Sequence, residues 1–133
     1  MDLESRKERK NKGLRGIANS TKYSIEGLKY AFKNEQSIKL IIFATLSGLI
    51  LGVTLQINTI EWIFVAIALG IILATELINT AIEATIDLVS PDFHPLAKIA
   101  KDTASAAVFV YTLLGFILAI AIFIPKIIER LGS

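Results

Sequence analysis

The chain has 133 residues, is 53% apolar and 20% charged, and contains no cysteine; its mean hydropathy is +0.61. That balance excludes an ordinary soluble domain, a disulfide scaffold and thiol chemistry, and leaves an integral membrane protein. The net charge of +2 conceals an asymmetry, because nine Lys or Arg precede Gln36 and two, Lys126 and Arg130, follow the last apolar run, so the N-terminus is expected in the cytoplasm.

Residues 1–19 read as a basic cytoplasmic arm, each of whose cations gains about 1 kcal/mol beside anionic lipid. Arg15 could instead touch a nucleotide phosphate. The first 37 residues hold no apolar core of signal-peptide length, so the first hydrophobic span is expected to target the chain and to remain. Residues 20–36 read as an amphipathic surface helix with Ser20 as N-cap. Ile25, Leu28, Ala31 and Phe32 share one side of it, and Lys22, Glu26, Lys29 and Lys33 the other. Glu35 stands seven residues after Leu28 and so projects from the apolar side. It is either a solvated helix-end acid or a ligand for something bound beneath the helix.

Residues 38–55 form the first expected span, about 18 residues and just enough to cross. Ala44, Gly48 and Gly52 repeat along it every fourth residue, a stripe on which another helix could approach closely, within one chain or between chains. The turn after it lies outside, where Asn58 or Thr59 can cap the next helix, Glu61 is a solvated first-turn acid, and Trp62 suits the interface.

The second span, residues 60–89, changes character part-way. Up to Thr75 it is uniformly apolar after Trp62; from there Glu76, Asn79, Thr80, Glu83 and Asp87 fall on one face. An acid at the centre of a membrane helix costs roughly 2.5–3.5 kcal/mol and marks ion or substrate chemistry. Twenty residues of hydrocarbon end near Asn79, which puts Glu76 at the cytoplasmic edge of the bilayer and Glu83 about 10 Å nearer the cytosol. Ser90 to Pro95 is a loop closed by two prolines, Pro91 and Pro95. The third membrane helix, residues 96–124, carries Lys98, Lys101, Asp102 and Ser105 on one face, expected to confront the acidic stripe, and ends at Pro125. The whole is one all-α domain, 1–133, with the C-terminus outside.

Facing stripes of acids and lysines can be a charge-balanced packing device or a cation site. Carboxylates and an Asn at a water–lipid boundary also suit Mg²⁺, which is held by one or two acids together with phosphate oxygens, and lysines suit a transferring phosphoryl group. The Gly-rich phosphate-binding motifs and a protein-kinase catalytic loop are absent. The residues alone therefore reach a membrane enzyme or ion site at the cytoplasmic interface, with a non-catalytic cation-binding protein or an assembly partner as alternatives.

E-L-I-N-T-A-I-E-A-T-I-D from Glu76, then K-I-A-K-D-T-A-S-A-A-V from Lys98, resembles the signature of the prokaryotic diacylglycerol kinase family, which includes undecaprenol kinases. Tyr23, Gly27 and Leu28, the pair Asn34–Glu35 and the three spans extend the likeness over residues 20–125. The resemblance implies a homotrimeric membrane kinase that moves the γ-phosphoryl of ATP to a lipid hydroxyl, with sites shared between neighbouring chains and no nucleic-acid partner. It implies Glu76 as general base, Glu35 and Glu83 as ligands of Mg²⁺, Asn79 as a group positioning phosphate or base, and Lys101 as the cation on the transferring group. Asp102, with Asp92, Phe93 and His94, would lie along the nucleotide; Tyr23 would also touch it, and Ser105 would touch the lipid. Ile41 stands where some relatives carry a further acid. Ile- and Leu-rich spans with a single Trp are similar to the Gram-positive-type branch, which implies undecaprenol as acceptor, with diacylglycerol as the alternative.

Overall fold

The computed structural model describes residues 14–132, the side chains of Leu14, Arg15 and Ala18 excepted. The basic arm before Leu14, and the Arg15 side chain with its expected phosphate contact, lie outside the described residues. Four helices make up the described chain: α1 (Leu14–Asn34), α2 (Gln36–Thr54), α3 (Thr59–Val89) and α4 (Pro95–Leu131). They divide into two compact units, one ending at Asn34 and one beginning at Glu35.

α1 begins six residues before the expected boundary at Ser20, which is not a cap. Its Oγ donates to the Gly16 carbonyl at 3.0 Å, as Thr21 does to Ile17 at 3.0 Å. Small hydroxyl residues bond a carbonyl four residues back as readily as they cap, so a Ser does not by itself mark a helix start. The C-terminal end comes two residues early as well. Asn34 Nδ2 closes the last turn on the Tyr30 carbonyl at 2.8 Å, and Glu35, at φ −101° and ψ 121°, leaves the helical region before α2 resumes.

α2, α3 and α4 are each long and apolar enough to cross a membrane. α3 has 31 residues, roughly 46 Å at 1.5 Å per residue against a hydrocarbon thickness of about 30 Å. A helix that overshoots the bilayer carries its last turns, and their polar stripe, into water. α3 is central, packing on α2 and on α4.

The turn between α2 and α3 closes both helix ends. Ile57 N–H donates to the Gly52 carbonyl at 3.1 Å and Gln56 N–H to the Val53 carbonyl at 3.3 Å. This is a Schellman motif, whose left-handed position is held by Gln56 at φ 51° rather than by the usual Gly. Asn58, not Thr59, caps α3. Its Oδ1 accepts from Glu61 N–H at 3.0 Å, while Glu61 Oε2 accepts from Asn58 N–H at 2.7 Å. Glu61 is thus one half of a capping box rather than a merely solvated acid.

The small-residue stripe of α2 proves heterogeneous. A Cβ on Gly52 would stand 2.5 Å from Trp62 Cη2, so the indole lies directly against the glycine; a Cβ on Gly48 would meet nothing within 4 Å. Beside Trp62, Ile57, Val65, Ile122 and Phe123 form a buried cluster, flanked by Leu55, Leu69, Leu118 and Ile127. This cluster explains why α4 does not stop at Pro125, as expected, but continues to Leu131. Proline forfeits one helical hydrogen bond and crowds the preceding turn. Ile122 and Phe123 before it and Ile127 after it are held in the cluster, and the Arg130 guanidinium donates to the Thr54 carbonyl. Packing on both sides of the proline carries the helix through it.

Candidate active site

The polar half of α3 is built inside out. Glu76, Asn79 and Thr80 are 4%, 8% and 7% exposed, whereas Ile78 on the same turn is 60% exposed. A helix that turns its apolar residues outward and an acid inward is stable only where lipid surrounds it and the acid has partners. Those partners are specific. Ser37, in the first turn of α2, donates its hydroxyl to Glu76 Oε1. Thr80 Oγ1 donates back to the Glu76 main-chain carbonyl at 3.0 Å. Asn79 Nδ2 reaches Glu83 Oε1 at 3.3 Å, and Asn79 Oδ1 is buried with no hydrogen-bond partner among the described residues. An unmet buried acceptor costs about 1–3 kcal/mol, so this position calls for a donor that folding does not supply.

Beneath Glu76 the three membrane helices leave an apolar groove of about 230 Å³. Its lining includes Ala44 and Gly48 from α2, Ala68 and Ile72 from α3, and Gly115 and Phe116 from α4. Ile72, the lining residue of α3 nearest in sequence to Glu76, precedes it by one helical turn, about 6 Å.

Toward the α3–α4 loop the site becomes wet. Lys101 Nζ crosses from α4 to Asp87 Oδ1 on α3 at 2.5 Å, with the lysine side chain 36% and the aspartate 64% exposed. Lys98 pairs with Asp102 on its own helix. The two polar stripes therefore confront each other through Lys101 and Asp87 alone among these pairs. An open cleft of about 380 Å³ gathers Asp87, Asp92, Phe93, His94, Lys101 and Asp102. His94 is committed locally as the N-cap of α4, its Nδ1 accepting from Leu96 N–H at 3.2 Å. Phe93 is 82% exposed beside it, an open ring face at the mouth of a cleft that holds cations and hydrogen-bonding groups.

The expected site residues thus fall into groups. Glu76 bonds with Ser37 and Thr80, Asn79 bonds with Glu83 on the same face of α3, and Lys101, Asp102, Asp92, Phe93 and His94 line one cleft. Glu35 occupies the cap position of α2 without a side-chain bond to that helix. Tyr23, on α1 in the other compact unit, and Ser105, on α4, are exposed. Among the described residues no three His, Asp or Glu side chains converge as a ready metal cage. Ser37 was not visible in advance. It falls between the expected surface helix and the expected first span, it has no charge, and only the tertiary contact gives it a partner.

Residues 22–123 match the family described as prokaryotic diacylglycerol kinase. The chain belongs to this family. It is 37% identical over 101 residues to the undecaprenol kinase of Bacillus subtilis (strain 168), covering 76% of this chain and 82% of that relative. To the diacylglycerol kinase of Haemophilus influenzae it is 39% identical over 101 residues, 76% of this chain and 86% of the relative. To the diacylglycerol kinase of Escherichia coli (strain K12) it is 29% identical over 105 residues, 79% and 86%. The match of this member of the prokaryotic diacylglycerol kinase family spans the buried network, the cleft and nearly all of the three apolar helices, which make it a multi-pass membrane protein. Its kinship to relatives bearing two different lipid names is nearly even.

Proposed function

We propose that the protein is a lipid kinase that transfers the γ-phosphoryl group of ATP to the hydroxyl of a membrane alcohol, undecaprenol in the first reading. The observation that carries this is a carboxylate, Glu76, only 4% exposed, one helical turn beyond Ile72 in the wall of an apolar groove. The groove suits the tail of the acceptor, and its hydroxyl then comes to rest at the acid. Glu76 takes the hydroxyl proton as the lipid oxygen forms its bond to the γ-phosphorus, and the bond from that phosphorus to the bridging oxygen breaks to release ADP.

The triphosphate belongs on the wet side. Glu83 lies seven residues beyond Glu76, about 10 Å along the helix, and with Glu35 it offers two hard oxygen ligands. The Asn79 side chain, bonded to Glu83, adds an oxygen to a donor chemistry that fits Mg²⁺. Glu35 and Glu83 would hold this ion, whose part is to neutralise charge on the triphosphate. Asn79 orients the phosphate or the base. Lys101 leaves Asp87 to meet the transferring group, and Asp102, Asp92, Phe93 and His94 line the course of the nucleotide. Tyr23 and Ser105, exposed in one chain, would complete the nucleotide and lipid contacts in a homotrimer with shared sites. The N-terminal arm and α1 lie at the cytoplasmic face, α1 in the headgroup plane, and the C-terminus outside.

Undecaprenol is favoured by the kinship to the Bacillus protein and by the Ile- and Leu-rich spans; diacylglycerol is the second reading, on the 39% identity to the Haemophilus enzyme. The test is purified protein in micelles with Mg-ATP and each lipid alcohol in turn. ADP release that requires the lipid, and that disappears in Glu76→Gln and Glu83→Gln, supports the kinase. Full turnover in Glu76→Gln removes the base, and cation flux without ATP consumption points to a passive cation site. Preference within the lipid panel decides the acceptor.

A further inference from the structure

Most threonines of the membrane helices behave alike. Thr45, Thr75, Thr85 and Thr103 each return their Oγ1 to the carbonyl four residues back, at 2.7–2.8 Å. That is how a hydroxyl is satisfied in an apolar helix without reaching for a neighbour. Ser37 departs from this rule, and its position explains why. Four residues behind it stands Lys33, on the other side of the backbone break at Glu35, so no carbonyl of its own helix is available. The hydroxyl is left to bond across 39 residues of sequence, to Glu76 Oε1 on α3.

We propose that Ser37 is a positioning residue for Glu76, holding one carboxylate oxygen so that the other is presented to the acceptor hydroxyl. The inference rests on the reading of Glu76 as the base. A glutamate side chain has three torsions, and a base that must meet a hydroxyl within hydrogen-bond reach gains from having one oxygen fixed. Among the described residues, Ser37 supplies the side-chain hydrogen bond to that carboxylate. The alternative donor on the same turn, Thr80, is spent on the Glu76 main-chain carbonyl. With one carboxylate oxygen held by Ser37, the other remains for the lipid.

The experiment compares Ser37→Thr, which keeps a hydroxyl, with Ser37→Val, which keeps the shape of threonine and removes it, alongside Glu76→Gln and Ser37→Val/Glu76→Gln. All are full-length protein in micelles with Mg-ATP and the preferred lipid alcohol, and thermal unfolding is followed in parallel. Ser37→Val is expected to lose about tenfold in kcat, the scale of one charge-assisted hydrogen bond, with KM for ATP unchanged. Ser37→Thr is expected to stay within about threefold of wild type, and the double variant to lose no more than Glu76→Gln alone, because both changes act through one carboxylate. Equal rates for the Val and Thr variants, or a further loss in the double variant, overturn the positioning role. If Glu76→Gln is inactive and Ser37→Val fully active, Ser37 alone is misassigned. Full activity in Glu76→Gln instead removes the base, and the role of Ser37 with it.

Discussion

The two ends of the membrane bundle are made on opposite principles. At the apolar end the facing termini of α2 and α3 are closed: a Schellman turn finishes α2, a capping box starts α3, and Arg130 answers the Thr54 carbonyl. Trp62 is seated on Gly52, and Ile57, Val65, Ile122 and Phe123 are buried together. At the polar end an acid is buried, an amide oxygen has no partner among the described residues, and the interhelical ion pair is largely solvated. Consistency between sequence and packing is what stability selects, and local departures from it gather where function is. The closed end holds the helices together and leaves the open end free to carry groups that folding alone would not choose.

This contrast can be broken most sharply at Glu76. Glu76→Gln should lower the rate of lipid-dependent ADP release by about 10²- to 10⁴-fold, the usual range for a general base, with the unfolding midpoint essentially unchanged. A large loss of stability would move Glu76 to the structural side of the comparison. The converse variant is Gly52→Ala, whose added Cβ meets the indole at 2.5 Å. It should destabilise the folded protein by about 1–3 kcal/mol, as overpacking does, while the folded fraction keeps its kcat; unfolding in denaturing detergent and steady-state kinetics measure the two together.

Smaller effects sharpen the picture. Gln56→Gly relieves a left-handed residue and should raise stability by up to about 1 kcal/mol, visible as a higher melting temperature with unaltered kinetics. Asp87→Asn should change stability by less than about 1 kcal/mol, since exposed ion pairs contribute little. A greater loss on melting would make the Lys101–Asp87 contact a support of the fold rather than a resting position for a catalytic lysine.

The α3 stripe could be read from the amino acids because helical period alone puts Glu76, Asn79, Thr80 and Glu83 on one face. The three spans were legible for a similar reason, being long runs set by bilayer thickness. What escaped was whatever depends on a neighbour. Ser20 has the composition of a cap and the surroundings of a helix interior. Pro125 reads as a terminus until the packing of Ile122, Phe123 and Ile127 is known. Lys101 could be assigned to the acidic stripe, but only the crossing of α4 over α3 selects Asp87 as its partner. Ser37 had no signature at all, since its importance comes from a break in the preceding helix.

The unbroken course of α3 from Thr59 to Val89 makes it a gauge. Interval and bearing between Glu76 and Glu83 are set by backbone hydrogen bonds and do not respond to what fills the groove below. On the proposed reading, acceptors with quite different hydrocarbon tails would meet one fixed spacing of groups. If the groove takes the acceptor's tail, as proposed, a change of lipid preference needs new wall residues around Gly48, Ala68 and Phe116, whereas inserting one residue between the two acids would turn one by about 100° relative to the other and disable every acceptor alike.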